Sequence, residues 1–299
     1  NYTHFTYEHN HVHHKWVSTD KDSASARADQ GLWSFWLSTI PGQFVSSAGV
    51  HSKRGRTGLS NPTYRGLMLQ IAGHAVGWPL PKGGSGAITR ALVSLLESLG
   101  GEILVDQPVE DVRSLPNGPI LFDTSPLAMA RICESILPNG YRKRLQRYRY
   151  GPGLFKLDWT LHQPIPWKDA SVSRAATVHI GGKLDAICRS ESAVWRGELV
   201  EDPFVLLTQC SQFDPERAPP GLHTAWAYCH VPHGSDLDAT SAIERQIERF
   251  APGFGDCIRT RHATSAPALR AYNDNYVGGD VNGGAPTLSQ LFTRPVAKI

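Results

Sequence analysis

Strand-like patterns in the middle of the chain constrain its fold more than any other feature. Residues 155–161 alternate between apolar and polar side chains, residues 204–209 form a compact apolar run, and residues 224–230 mix aromatic and small residues. A period of two is typical of half-buried strands, and short apolar runs fit buried ones. Because few helical patterns separate these segments, we predict a largely antiparallel sheet.

An amphipathic helix is predicted over residues 88–99, where apolar residues recur at three- and four-residue spacing before the pair Gly100-Gly101. This pattern indicates a helix with one buried face. The apolar runs that follow, over residues 102–105, 109–115 and 120–122, predict three short strands.

Two further helices are predicted from their end signals and spacing. Ser125 is suited to the N-cap and Pro126 to the first helical position, so a helix is expected to run toward Leu137. Residues 241–250 place apolar residues on one side and arginines on the other, and Pro252-Gly253 ends that helix.

Composition excludes several classes of protein. The chain has 299 residues, 40% of them hydrophobic, with 30 Lys+Arg against 27 Asp+Glu and a formal net charge of +3. It is therefore neither a disordered tail nor a collagen-like chain, and its small, dispersed charge does not indicate a nucleic-acid partner. Apolar stretches are shorter than a membrane-spanning helix needs, and five scattered cysteines without a C-x-x-C motif favour a reducing, cytoplasmic setting.

Phosphate-binding and nucleophile motifs are absent from the printed sequence. It contains no G-x-G-x-x-G fingerprint, no P-loop and no G-x-S-x-G elbow. The segment KGGSG at residues 82–86 opens the first predicted helix. Its backbone N–H groups could hold an anion or the edge of a planar cofactor, but from these residues alone we favour a tight turn followed by a helix N-cap.

Histidines suggest two kinds of functional site, a metal site and a general base. Residues 9–14 contain four of them at strand-like spacing, which a transition metal could use, but no carboxylate or cysteine set accompanies them, so we predict no metal site. His74, His223 and His230 lie in apolar or strand-like surroundings. We interpret them as core or wall histidines rather than general bases.

Many short motifs occur in an order and spacing that resembles one family. They are HAVGWP at 74–79, GGS at 83–85, LGGEI at 99–103, FDTSP at 122–126, RYRYGPG at 147–153, FDP at 213–215, AWAYCHVP at 225–232, IERFAPG at 247–253, NYVGGD at 275–280 and NGG at 282–284. Together they resemble the flavin-dependent oxidoreductases of the phytoene desaturase-like group, within the amine-oxidase-type flavoprotein superfamily.

The resemblance implies a mixed α/β fold, in which part of a Rossmann-like FAD-binding domain is interleaved with a mainly antiparallel substrate domain. We expect residues 1–64 to be an atypical N-terminal segment, residues 65–135 to be part of the FAD-binding domain, and residues 136–299 to be the substrate domain. Members of the family also carry an N-terminal glycine fingerprint and a C-terminal flavin segment. The printed sequence contains neither, so the resemblance implies a fragment.

For the cofactor FAD, the resemblance implies that a glycine turn lies beside the flavin, a valine contacts the adenosine part through its backbone, and a strand end lies near the nucleotide half. The glycine turn corresponds to Gly83, Gly84 and Ser85, the valine to Val109, and the strand end to Thr124, Ser125 and Pro126.

The implied reaction is hydride transfer between FAD and a small apolar or lipid-like substrate, and an apolar substrate also implies peripheral contact with a membrane. Flavin chemistry needs no nucleophile from the protein, and the sequence assigns no catalytic residue. The candidate substrate cavity consists of Trp78, Phe155, Trp159, Trp226 and Tyr228, although their spacing also fits an ordinary core. The alternative is an inactive truncated homologue, or a binding module that keeps the substrate domain without flavin.

Overall fold

The computed structural model describes residues 79–287, together with residues 73, 75, 77, 290, 293 and 295. The chain divides into two compact units. One comprises Asn1–Pro79, Lys183–Cys188 and Pro286–Phe292, and the other comprises Leu80–Gly182, Arg189–Ala285 and Thr293–Ile299. The predicted segment 1–64, its histidines, His74 and Trp78 lie outside the described residues. The boundary expected after residue 135 stays a prediction.

A five-stranded antiparallel sheet forms the centre of the larger unit. Its strands are β1 (Gly153–Leu161), β2 (Thr177–Ile180), β3 (Val205–Thr208), β4 (His223–Val231) and β5 (Ile258–Thr264). Their order across the sheet is β2-β3-β4-β1-β5, and every neighbouring pair is antiparallel. The three strand-like segments predicted from sequence correspond to β1, β3 and β4, so the prediction of an antiparallel sheet is confirmed.

The helices in the described part of the chain are α1 (Ser85–Ser98), α2 (Pro126–Ile132), α3 (Asn139–Gln146), α4 (Leu184–Ala193), α5 (Thr240–Glu248), α6 (Phe254–Cys257) and α7 (Ala266–Tyr272). Helices α1, α2 and α5 correspond to the three that are predicted from sequence. Ser125 caps α2 as expected, because its side chain accepts a hydrogen bond from the Ala128 N–H at 3.1 Å. That helix ends at Ile132 rather than near Leu137, and Pro138 precedes a separate helix.

Helix α5 covers one face of the sheet and creates the core. Its Ile243 and Ile247 are completely buried together with Phe254 of α6 and alternate residues of β1 and β4. Trp159 of β1 packs edge-on against Phe254, with ring centroids 5.3 Å apart, and its indole N–H donates to Glu244 at 3.0 Å. The alternation of buried and half-buried residues along β1 and β4 therefore separates a core face from a second face.

The three short strands predicted between the first two helices are wrong. Residues 102–105, 109–111 and 120–122 belong to no strand, and residues 112–114 form a single 3₁₀ turn whose N-cap is Asp111. A run of apolar residues becomes a strand only when a neighbouring strand accepts its backbone hydrogen bonds. No such pairing forms for these residues within the described part of the chain.

The first helix forms as predicted, although it spans Ser85–Ser98 rather than residues 88–99, but it lacks the predicted burial. Side chains of its apolar stripe remain exposed, with Ile88 at 53%, Leu92 at 62% and Leu95 at 56% of full exposure. Spacing determines which residues share a face of a helix, whereas burial needs a surface that packs against that face. The expectation of a buried face is therefore wrong for α1.

The described residues form a mixed architecture of several helices and one antiparallel sheet, so the predicted fold class is confirmed at this level. Among the described residues, no helix combines the length and the apolar character needed to cross a membrane. None of the described cysteines takes part in a disulfide.

Candidate functional site

The second face of the sheet, opposite to α5, gathers the polar and aromatic side chains of β1 and β4. We call it the aromatic face and define it by Lys156, Asp158, Trp226, Tyr228 and His230. All five are half-buried, whereas the residues that alternate with them are buried in the core. The register places Lys156 opposite Tyr228 and Asp158 opposite Trp226, so these side chains share one surface.

Ring contacts make this face continuous along β4. The rings of Trp226 and Tyr228 are nearly parallel, with centroids 6.2 Å apart and an interplanar angle of 14°. The His230 ring meets Tyr228 at a steep angle, with centroids 6.0 Å apart. At the other end, Lys156 lies 5.5 Å above the centre of the Trp226 ring and forms an ion pair with Asp158. The face thus offers a flat aromatic strip between two polar ends.

A carboxylate–imidazole pair forms one of those ends. His230 Nδ1 lies 2.9 Å from Glu191 Oε2 and 3.1 Å from Oε1, and the two side chains are only 15% and 8% exposed. Burial raises the pKa of the Glu191 carboxyl, but the charge attraction and the hydrogen bond from His230 oppose this and contribute to a pKa below the usual value. Glu191 is therefore ionised at neutral pH.

The predicted substrate cavity is divided by the sheet. Trp226 and Tyr228 lie on the aromatic face, whereas Phe155 and Trp159 point into the core and are 3% and 2% exposed. Phe155 stands opposite Cys229 and Trp159 opposite Ala225, both of which belong to the core face. The structure therefore does not bring the four aromatic residues into one wall, because the odd-numbered positions of β1 and β4 face α5. Trp78 lies outside the described residues.

The glycine turn before α1 contacts the protein itself. The Gly83 N–H donates to Asp214 Oδ2 at 2.7 Å, and the Gly84 N–H donates to the carbonyl of Pro81 at 2.9 Å. Gly84 has a φ of +80°, and a Cβ at this position would overlap the guanidinium of Arg217. The close approach that glycine allows here thus accommodates an arginine. In this conformation the Gly83 and Gly84 N–H groups donate within the protein, so neither is free to bind a phosphate or the edge of a flavin.

The other predicted cofactor positions have ordinary structural roles in the larger unit. Ser85 is the first residue of α1 and is exposed. Val109 packs against a small apolar cluster that also contains residues of α2. Thr124 is exposed, and the Ser125 N–H donates to Asn275 Oδ1 at 2.7 Å next to Pro126, where α2 begins. FAD binding at all seven positions stays a prediction.

A buried carboxylate from the NYVGGD motif organises the last glycine-rich loop. Asp280 is 1% exposed and accepts hydrogen bonds from the backbone N–H groups of Gly151 at 2.6 Å, Asn282 at 2.8 Å and Gly284 at 3.0 Å. The sequence signal for this role is an aspartate between two glycine pairs, because such loops expose backbone donors that need an acceptor. Among the described residues, no group of three histidine, cysteine, aspartate or glutamate side chains is placed to hold a metal ion.

Comparison with known proteins finds distant relatives. No protein-family model matches the chain. It is 23% identical over 236 residues to phytoene desaturase (lycopene-forming) of a Paracoccus species, which covers 71% of this chain and 46% of that protein. A stretch of 70 residues is 36% identical to alkane 1-monooxygenase of Ectopseudomonas oleovorans, covering 23% of this chain and 18% of that protein. The chain thus spans less than half the length of each of these relatives.

Among solved structures, an oxidoreductase from Methanosarcina mazei is similar in part. The two share 16% sequence identity and a TM-score of 0.39, over 62% of this chain and 43% of the other.

Proposed function

We propose that this chain is part of a flavin-dependent oxidoreductase of the desaturase or dehydrogenase type, which transfers a hydride between an apolar small molecule and FAD. The observation that carries this proposal is the similarity to phytoene desaturase over 71% of the chain. The antiparallel sheet with one face packed in the core and a second face bearing aromatic side chains is consistent with a substrate domain.

In this proposal the substrate lies on the aromatic face. Trp226 and Tyr228 provide a flat apolar surface there, which suits a small apolar or lipid-like molecule. FAD, when bound, supplies the redox chemistry. The residues of the chain then orient the substrate and exclude water, and this is why hydride transfer requires no nucleophile from the sheet. The cytoplasmic setting and peripheral contact with a membrane are further parts of the proposal.

A second candidate, a binding module without flavin, is favoured by the glycine turn. Both N–H groups of that turn are engaged within the protein, by Asp214 and by Pro81. FAD would therefore need hydrogen-bond donors other than these two N–H groups. The two candidates differ in cofactor and agree on the ligand surface.

The visible absorption spectrum of the purified chain, before and after incubation with FAD and desalting, separates the candidates. We expect a flavin band that persists through desalting and is released by denaturation. A colourless protein after desalting would contradict flavin binding by this chain and would favour the binding module.

The ligand surface is tested with a fluorescent conjugated fatty acid, parinaric acid, as an apolar probe. Tyr228→Ala should weaken its binding about tenfold, since one buried aromatic contact contributes on the order of 1–2 kcal/mol. The matched control is Tyr272→Ala, because Tyr272 is 84% exposed and lies on α7. Equal affinity of the Tyr228 variant and the parent chain would contradict binding at the aromatic face.

A further inference from the structure

The Glu191–His230 pair is a feature that hydride transfer to flavin does not use. Nδ1 of His230 lies within hydrogen-bonding distance of both carboxylate oxygens of Glu191. An ionised carboxylate only accepts hydrogen bonds, so Nδ1 carries the ring proton and donates it. In a neutral imidazole this arrangement leaves the lone pair on Nε2.

The second ring nitrogen is available to a ligand. His230 Nε2 forms no hydrogen bond within the part of the chain that the structure describes, and the side chain keeps 15% of its surface exposed. Its neighbours on the sheet are the Tyr228 ring on β4 and the apolar Leu154, which stands directly opposite on β1. A ligand lying along Trp226 and Tyr228 would therefore reach the imidazole at its end.

Glu191 is suited to stabilise a proton taken up by that imidazole. Its carboxylate is fixed at the end of α4, only 8% exposed, and held on Nδ1 from one side. When Nε2 accepts a proton, the ring becomes an imidazolium next to a negative charge in surroundings largely removed from water. Charge attraction is stronger there than at an exposed site. A buried carboxylate that orients a histidine is the arrangement of a general base.

We propose that His230 is a general base that removes a proton from a carbon acid bound flat against Trp226 and Tyr228. In this step the substrate C–H bond breaks and the proton passes to His230 Nε2. The electron pair stays on the substrate and is delocalised into its conjugated system. The substrate class is a planar, mainly apolar molecule with an activated C–H bond. Glu191 is the positioning residue.

This proton transfer is redox-neutral and needs no cofactor. Its test is therefore independent of flavin binding, and either proposal can fail while the other holds.

Nitrobenzisoxazole is a suitable probe because it is a planar carbon acid. Removal of its C–H proton breaks the N–O bond and releases a coloured cyanonitrophenolate, so the atoms and electrons balance without an oxidant. We expect the purified chain to accelerate this reaction above a solution with the same concentration of free imidazole. His230→Gln should lower the rate about 100-fold, at the lower end of what a general base contributes.

Glu191→Gln distinguishes positioning from simple packing. We expect kcat to fall about tenfold with KM unchanged, because the probe still binds to the aromatic rings while the imidazole loses its charge partner. The matched control is His162→Gln, since His162 is exposed directly after β1 and its side chain has no hydrogen bond or ion pair in the described part of the chain. That variant should keep the parent rate.

Folding is checked by circular dichroism and by binding of nitrobenzotriazole, a planar analogue without the acidic C–H bond. A folded His230→Gln variant that binds this analogue and keeps the parent rate would overturn the proposal.

If the variants do not fold, diethyl pyrocarbonate treatment of the parent chain provides the test. The fraction of His230 that is modified, measured by mass spectrometry, should equal the fraction of the catalytic rate that is lost. Nitrobenzotriazole should slow this modification. Loss of the rate without modification of His230, or full modification with the rate retained, would overturn the proposal.

Discussion

Replacing Asp280 with alanine should destabilise the protein more than replacing any exposed carboxylate. Its side chain is 1% exposed and accepts hydrogen bonds from the backbone N–H groups of Gly151, Asn282 and Gly284. These contacts join the start of β1 to the last glycine-rich loop, which is more than a hundred residues away in sequence. Alanine would leave all three donors without an acceptor.

The expected magnitude follows from these three donors. A buried donor without a partner costs about 1–3 kcal/mol, and water that enters the space left by the carboxylate would recover part of the loss. We therefore expect Asp280→Ala to lower the free energy of unfolding by about 4 kcal/mol. Asp280→Asn should cost about 2 kcal/mol, because one oxygen remains for the Gly151 and Gly284 donors while the amide NH₂ cannot accept from Asn282.

The free energy of unfolding is measured by urea denaturation of the parent chain and the variants. Asp274→Ala is the matched control, because its carboxylate is 52% exposed and pairs with Arg131 and Arg270 at the surface. The control should lose at most about 1 kcal/mol. If Asp280→Ala and Asp274→Ala are equally stable, the three backbone hydrogen bonds do not stabilise the loop and the reasoning is refuted.

Three further perturbations test the fold. Leu157→Ala should lower the free energy of unfolding by about 3 kcal/mol in urea, because Leu157 is completely buried in the core; a loss below 1 kcal/mol would contradict its place there. Ser125→Ala removes the N-cap of α2 and should lower the free energy of unfolding in urea by about 1 kcal/mol, whereas Ser125→Asn should retain most of the stability that the cap provides. The Gly253 N–H and other backbone donors lower the pKa of Glu248 in the folded protein. The ionised Glu248 carboxylate therefore stabilises the fold at a pH above its unfolded-state pKa, and this stabilisation is lost as the pH falls through its folded-state pKa. Glu248→Gln should therefore flatten the acid side of the stability profile, and an unchanged profile would refute this role.

Local sequence signals were sufficient to predict those elements whose characteristic pattern lies within their own residues. The spacing over residues 88–99 predicted helix α1, and Ser125 with Pro126 predicted the start of α2. Alternation over residues 155–161 predicted β1, because each half-buried strand shows its two faces in its own residues. Strands β2 and β5 lack such a clear pattern. They lie at the edges of the sheet, where β2 alternates over only four residues and the residues of β5 between its two ends are all exposed.

The tertiary structure alone decided which residues meet. Apolar residues at 102–105 and 120–122 look like strands in sequence and are not, because a strand exists only with a hydrogen-bonding neighbour. The aromatic residues expected in one cavity lie on opposite faces of the sheet, because Phe155 and Trp159 occupy odd-numbered positions whereas Trp226 and Tyr228 occupy even-numbered ones.

Long-range contacts are the part of the candidate site that sequence could not supply. Glu191 meets His230 from 39 residues away, and Asp214 meets Gly83 from 131 residues away. No local pattern encodes such a pairing, since it depends on how separate elements pack. The sequence by itself thus determined helices α1, α2 and α5, the central strands and the kind of sheet. The surface on which Trp226, Tyr228, His230 and Glu191 come together was decided only when the chain folded, because the two faces of a strand acquire different surroundings only through packing.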